Sequence, residues 1–194
     1  MELKNDRKMI ILRQKEFGLF GFGKKKKEPQ QKPIEYKCPT ISDLPSNIQS
    51  SLKGVERVWK RPDVQKLISK LREAIYADGD PFFPYVDQKQ VEQAHKTFLV
   101  PSLSLEKFPE NTLMYPLMWN QDMEVLISYD INTGKFWYLN SPDYNFEEAT
   151  RIKVLRDFIK NGLSQLEELN EDDVFMDPGE FKRLIKDLKK AFWI

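Results

Sequence analysis

Met123-Glu-Val-Leu-Ile-Ser-Tyr-Asp-Ile131, Asn132-Thr-Gly134 and Lys135-Phe-Trp-Tyr-Leu-Asn140 run consecutively, and this stretch decides the fold class. Both flanks are rich in branched and aromatic residues, which suit a pleated, half-buried surface. Gly134 can adopt the positive φ that a tight connection needs. The spacing therefore predicts a β-hairpin over residues 123–140, the best strand pair in the chain.

Away from the hairpin the periodicity turns helical. Upstream, Ser42-Asp-Leu-Pro opens a helical stretch reaching about Lys60, and Pro62 sits where the first turn of a new helix tolerates it. Val64, Leu67, Ile68, Leu71 and Ile75 recur at spacings of three and four, a single apolar stripe that predicts an amphipathic helix over Pro62–Ala77. Asp87 followed by Gln90 resembles a capping box and predicts a helix to about Phe98, closed by Pro101. Pro109 and Pro116 predict irregular backbone over 102–122.

Downstream, Ile152, Leu155, Ile159, Leu163 and Leu166 make a helical stripe running from about Asn145, with a break expected at Asn161-Gly162. Asp177-Pro-Gly-Glu180 places cap, first-turn proline and capping-box acid in order before Phe181, Leu184, Ile185, Leu188 and Phe192. No fixed-period repeat occurs, which excludes solenoids and propellers. The expected class is α+β: several amphipathic helices around a small antiparallel sheet containing the 123–140 hairpin, with an extended N-terminal arm.

That arm, residues 1–27, alternates Phe17, Phe20 and Phe22 with glycines and ends on Lys24, Lys25, Lys26 and Lys27. Glu28-Pro-Gln-Gln-Lys-Pro33 is polar and proline-punctuated, and residues 28–41 read as a linker, with Ile34–Pro39 an edge strand or extended tail. Residues 42–194 then form a single domain, since 194 residues bury one good core or one core and a small satellite. A 40% apolar and 12% aromatic composition excludes global disorder.

Charge is divided unevenly. The arm holds nine Lys/Arg against three Asp/Glu, whereas residues 28–194 hold 22 against 27. This argues against a broadly basic nucleic-acid-binding domain and confines phosphate contact to the Lys24–Lys27 run, where it is weak and salt-sensitive. Met9–Leu12 is interrupted by Arg13, Gln14 and Lys15 and is too short for a secretory core. No run reaches the roughly 18–20 apolar residues of a membrane span. The expected location is intracellular, or within a virion assembled inside a cell.

Several catalytic patterns are approached without being met. Gly18-Leu-Phe-Gly-Phe-Gly-Lys24 has phosphate-loop spacing, but Lys25 stands where Ser or Thr must hold magnesium, and no helix follows. Val125–Asp130 only superficially resembles the apolar strand ending in Asp that accompanies such loops. Cys38 and His95 are the chain's sole cysteine and histidine, with no motif around either, so neither a disulfide nor a thiolate zinc cluster can form within this sequence. Acidic residues from Glu167 to Glu180 miss the alternate-ligand spacing of a calcium loop at Val174 and read as a solvated face with helix caps. Ser50-Ser-Leu-Lys53 matches S-x-x-K without its partner motifs. No catalytic residue, metal or cofactor is expected.

The aromatic residues around the hairpin have two readings. Trp119, Tyr129, Phe136, Trp137 and Tyr138 are either covered by helices on both sheet faces or form an exposed contact surface. Ordering the arm costs on the order of 1–2 kcal/mol per residue, so a partner must bury its phenylalanines to compensate. The expected partner-binding residues are Phe17, Phe20, Phe22, Lys24–Lys27, Trp119 and Trp137.

The run Met9-Ile-Ile-Leu-Arg-Gln-Lys-Glu-Phe-Gly-Leu-Phe-Gly-Phe-Gly-Lys-Lys-Lys-Lys27 resembles the N-terminal leader of small head- or neck-associated proteins of tailed bacteriophages. That resemblance implies a virion component. The order apolar strand, Asp130-Ile-Asn-Thr-Gly-Lys135, aromatic strand, helix is similar to the later part of a domain shared by yeast cell-wall regulators and bacterial toxin-immunity proteins. The leading expectation is a non-enzymatic structural or adaptor protein of a larger assembly, docking through its arm. The alternative is an immunity-type module that neutralises a toxin through the hairpin surface around Trp119 and Trp137.

Overall fold

In the computed structural model, which describes residues 34–77, 80–120, 124–140, 143–150 and 155–193, the hairpin is the centre of an antiparallel sheet. Its five strands among the described residues run in sequential order: β1 (Phe83–Pro84), β2 (Met114–Asn120), β3 (Val125–Asp130), β4 (Lys135–Asn140) and β5 (Asn145–Glu148). The turn works as its sequence predicts. Gly134 has φ +73° and donates its N–H to the Asp130 carbonyl at 2.8 Å. The buried Asp130 carboxylate accepts from the Asn132 N–H at 3.0 Å and the Thr133 hydroxyl at 2.7 Å.

β2 corrects the expectation of irregular backbone over 102–122. Pro116 is tolerated inside a strand because the ladder to β3 slips between Pro116 and Met118, and a bulge is where a missing donor does least harm. The extra residue, Leu117, gives its carbonyl to the Tyr85 N–H at 2.9 Å. β5 likewise occupies Asn145–Glu148, where helix was expected. Its Glu147 and Glu148 put charge on the sheet edge, which discourages strand addition there.

The helices are α1 (Ser46–Trp59), α2 (Pro62–Ala74), α3 (Gln88–Ala94), α4 (Val100–Leu105), α5 (Leu155–Leu166) and α6 (Pro178–Ala191). Pro101 does not end the helix opened by Asp87. A π-turn over His95–Leu99 carries it onward, the Val100 N–H reaching back to the His95 carbonyl. The wider turn places Pro101 at the start of a fresh segment, where its missing N–H is harmless. The Ser102 hydroxyl then donates to the Phe98 carbonyl at 2.7 Å.

α5 runs through Asn161-Gly162 without a break. A Cβ on Gly162 would lie 2.6 Å from Asn120 Nδ2 and 2.8 Å from Phe82 Cε1, so glycine here buys close approach to the sheet. Asp177 caps α6 as expected, accepting from the Gly179 and Glu180 N–H groups.

Both sheet faces are covered. α5 lies on one, with Phe158 against Tyr138; the π-turn and the segment after α4 lie on the other, with Phe98 stacked on Trp119 and Phe108 against Trp137. All six residues of β3 are buried accordingly. α2 packs mainly on α6, and α6 also meets α5, making an outer helical layer. The chain is α+β.

The body also begins earlier than the expected 28–41 linker allows. Tyr36 is buried and donates its hydroxyl to the Leu103 carbonyl at 3.2 Å and the Phe108 carbonyl at 2.9 Å. Residues 34–41 are therefore part of the fold.

Candidate interaction surface

Phe17, Phe20, Phe22, Lys24, Lys25, Lys26 and Lys27 lie outside the described residues. Trp119 and Trp137 share a sheet face, since Trp119 pairs with Leu126 and Trp137 with Ser128 two residues on. Neither is an open platform. Trp119 stacks on Phe98 with centroids 5.1 Å apart, and Trp137 meets Phe108 at 5.5 Å and Phe146 at 6.3 Å. Both are half-buried, and the Trp137 indole N–H is enclosed without an acceptor.

Cys38 and His95 are not set up as nucleophile and base. The thiol points to the Pro39 carbonyl at 3.6 Å, and burial, then the nearby Glu92, pushes its pKa up, opposite to what thiolate chemistry needs. His95 is 3% exposed with Nε2 unpartnered, and burial lowers its pKa. Among the described residues no group of three or more His, Cys, Asp or Glu is placed to hold a metal ion. No described helix is long and apolar enough to cross a membrane.

What the body does present lies on the α2–α6 layer. At one end Tyr76, 72% exposed, meets Phe175, 62% exposed, edge to face with centroids 4.1 Å apart. Local backbone fixes the pair: α2 stops with the Ala77 N–H on the Arg72 carbonyl, and the Phe175 N–H binds the Ala74 carbonyl at 2.8 Å. That stop puts Tyr76 at φ +51°, in the left-handed slot usually given to glycine. At the far end of α6, Trp193 takes a similar conformation at φ +55° and is 67% exposed, immediately after the buried Phe192.

Between these ends the layer is basic. α2 and α6 carry eight Lys/Arg and four Asp/Glu, whereas the rest of residues 34–194 carries 13 and 22. Shallow grooves follow the two helices, one lined by Leu67, Met176 and Leu184 with Lys70, Arg183, Glu180 and Asp187, another running along Arg183, Lys186, Asp187 and Lys190 to Trp193. Sequence reasoning read α2 and α6 only for their buried stripes. Two signals were there to find: aromatic residues just past helix ends, where glycine normally stands, and the 3-4-3 spacing of Glu180, Arg183, Asp187 and Lys190.

No protein-family model, curated protein or solved structure matches this chain.

Proposed function

We propose that the chain is a non-enzymatic structural or adaptor component of a larger protein assembly, docking through its basic aromatic arm and through the α2–α6 layer. The observation that carries this reading is the exposure of Tyr76, Phe175 and Trp193 around a basic layer on an otherwise acidic body. Large exposed aromatic side chains beside Arg, as Arg72 is beside Tyr76 and Phe175, are characteristic of protein contact surfaces. The arm adds three phenylalanines that need a partner for burial. Its resemblance to bacteriophage head and neck leaders makes a virion the natural assembly.

The test is sedimentation of the tagged full chain from its native source, with and without nuclease and high salt, alongside a Tyr76→Ser/Phe175→Ser variant and a chain lacking residues 1–27. Nuclease-resistant co-migration with a large protein particle, lost in both variants, is the expected result. A small free species overturns the reading. A single stoichiometric companion, retained without the arm, points instead to a toxin-neutralising binding module.

A further inference from the structure

Four exposed residues of α6, Glu180, Arg183, Asp187 and Lys190, form one stripe on the side of the helix away from its buried Phe181, Leu184, Ile185 and Leu188. Their spacing of three, four and three keeps them on one face over about three turns. The signs alternate: acid, base, acid, base. None of the four makes an ion pair with another described residue.

That order is self-complementary. Turned end for end, it matches itself. If a second α6 lies antiparallel across a two-fold axis level with position 185, Glu180 faces Lys190 of the second copy and Arg183 faces its Asp187, each pair occurring twice.

We infer that α6 is the interface of a two-fold symmetric homodimer, held by the paired Glu180–Lys190 and Arg183–Asp187 contacts. Two-fold self-pairing is the commonest mode of homo-oligomerisation, and it requires one self-complementary patch of this kind. The alternation disfavours nucleic acid, because Glu180 and Asp187 would repel phosphate at every second position. The grooves beside α2 receive the flanks of the incoming helix, so the joined layers form a four-helix arrangement of α2 and α6 from each copy. This inference rests on the reading of the layer as a protein-binding surface and names its first partner.

The experiment is light scattering and sedimentation velocity on the full chain over a roughly hundredfold concentration range, where a dimer is governed by mass action. The wild type is expected at twice its 23.0 kDa mass. Arg183→Asp places two acids against each other, and Asp187→Arg two bases. Each single change should weaken the dimer at least roughly 100-fold. The double variant Arg183→Asp/Asp187→Arg restores opposite signs under the same two-fold and should dimerise with itself but not with the wild type. Circular dichroism checks that each variant is folded.

A wild type that stays monomeric at every concentration in low salt overturns the inference. So do folded single variants that still dimerise, or a folded double variant that does not recover; either would move self-association elsewhere, the arm included. If the wild type is monomeric while the Tyr76→Ser/Phe175→Ser variant still loses particle incorporation, the homodimer falls and the assembly reading stands.

Discussion

β3 and the outer face of α6 are opposite uses of a secondary-structure element. In β3 every residue from Val125 to Asp130 is buried, and even the polar members have structural work: Ser128 donates to the Trp137 carbonyl at 3.3 Å and Asp130 holds the turn. In α6 the inner stripe is equally committed, but Glu180, Arg183, Asp187 and Lys190 face outward with no described ion pair. A residue that closes the core cannot also recruit a partner. The hairpin aromatics, prominent in sequence, belong to the first group; Tyr76, Phe175 and Trp193 belong to the second.

The sharpest way to break this contrast is to truncate the sheet. Leu126 is fully buried in the central strand β3, so Leu126→Ala is expected to cost about 3 kcal/mol through lost transfer energy and the cavity left behind. Urea unfolding measures it. A loss below about 1 kcal/mol would mean that the sheet is not the packed centre.

An intermediate effect concerns pH. Burial holds His95 below its ordinary pKa, so the unfolded chain takes up a proton first as pH falls below about 6.5. The stability contributed by its neutral burial is present above that pH and is lost as pH falls through it. Tyr85 works at the other limit: burial pushes its pKa up to about 12 from 10.0, so stability is complete below pH 10 and declines as pH rises toward 12. Burial raises the Tyr115 pKa as well, adding to the alkaline loss. Thermal melts against pH should show a plateau bounded by both limbs, and His95→Leu should flatten only the acid one. An acid limb unchanged by that substitution would remove His95 from the account.

The smallest effect belongs to the surface. Tyr76→Gly relieves a left-handed side chain, worth about 1 kcal/mol, and forfeits the Tyr76–Phe175 ring contact, worth a similar amount. Stability should therefore change by less than about 1 kcal/mol in urea unfolding. A larger loss would make the aromatic pair a structural element and draw the outer layer into the core.

Some of this molecule was legible residue by residue. The Asn132-Thr-Gly134 turn, the Asp87 and Asp177 caps and the apolar stripes of α2, α5 and α6 are decided by neighbours within about four positions, which is the range of backbone hydrogen bonding and helical spacing. The self-matching charge order of α6 is equally local. What only tertiary structure decided depends on chain far away. Pro116 enters a strand because the ladder to β3 slips beside it, and Gly162 sits in an unbroken helix with Phe82 and Asn120 pressed against it. Ile34–Ile41 joins the body because the Tyr36 hydroxyl finds carbonyls 67 and 72 residues downstream. Whether an aromatic side chain faces inward, as Trp119 does, or outward, as Phe175 does, is a property of the covering layer, and periodicity within a single segment carries no information about which neighbour will cover it.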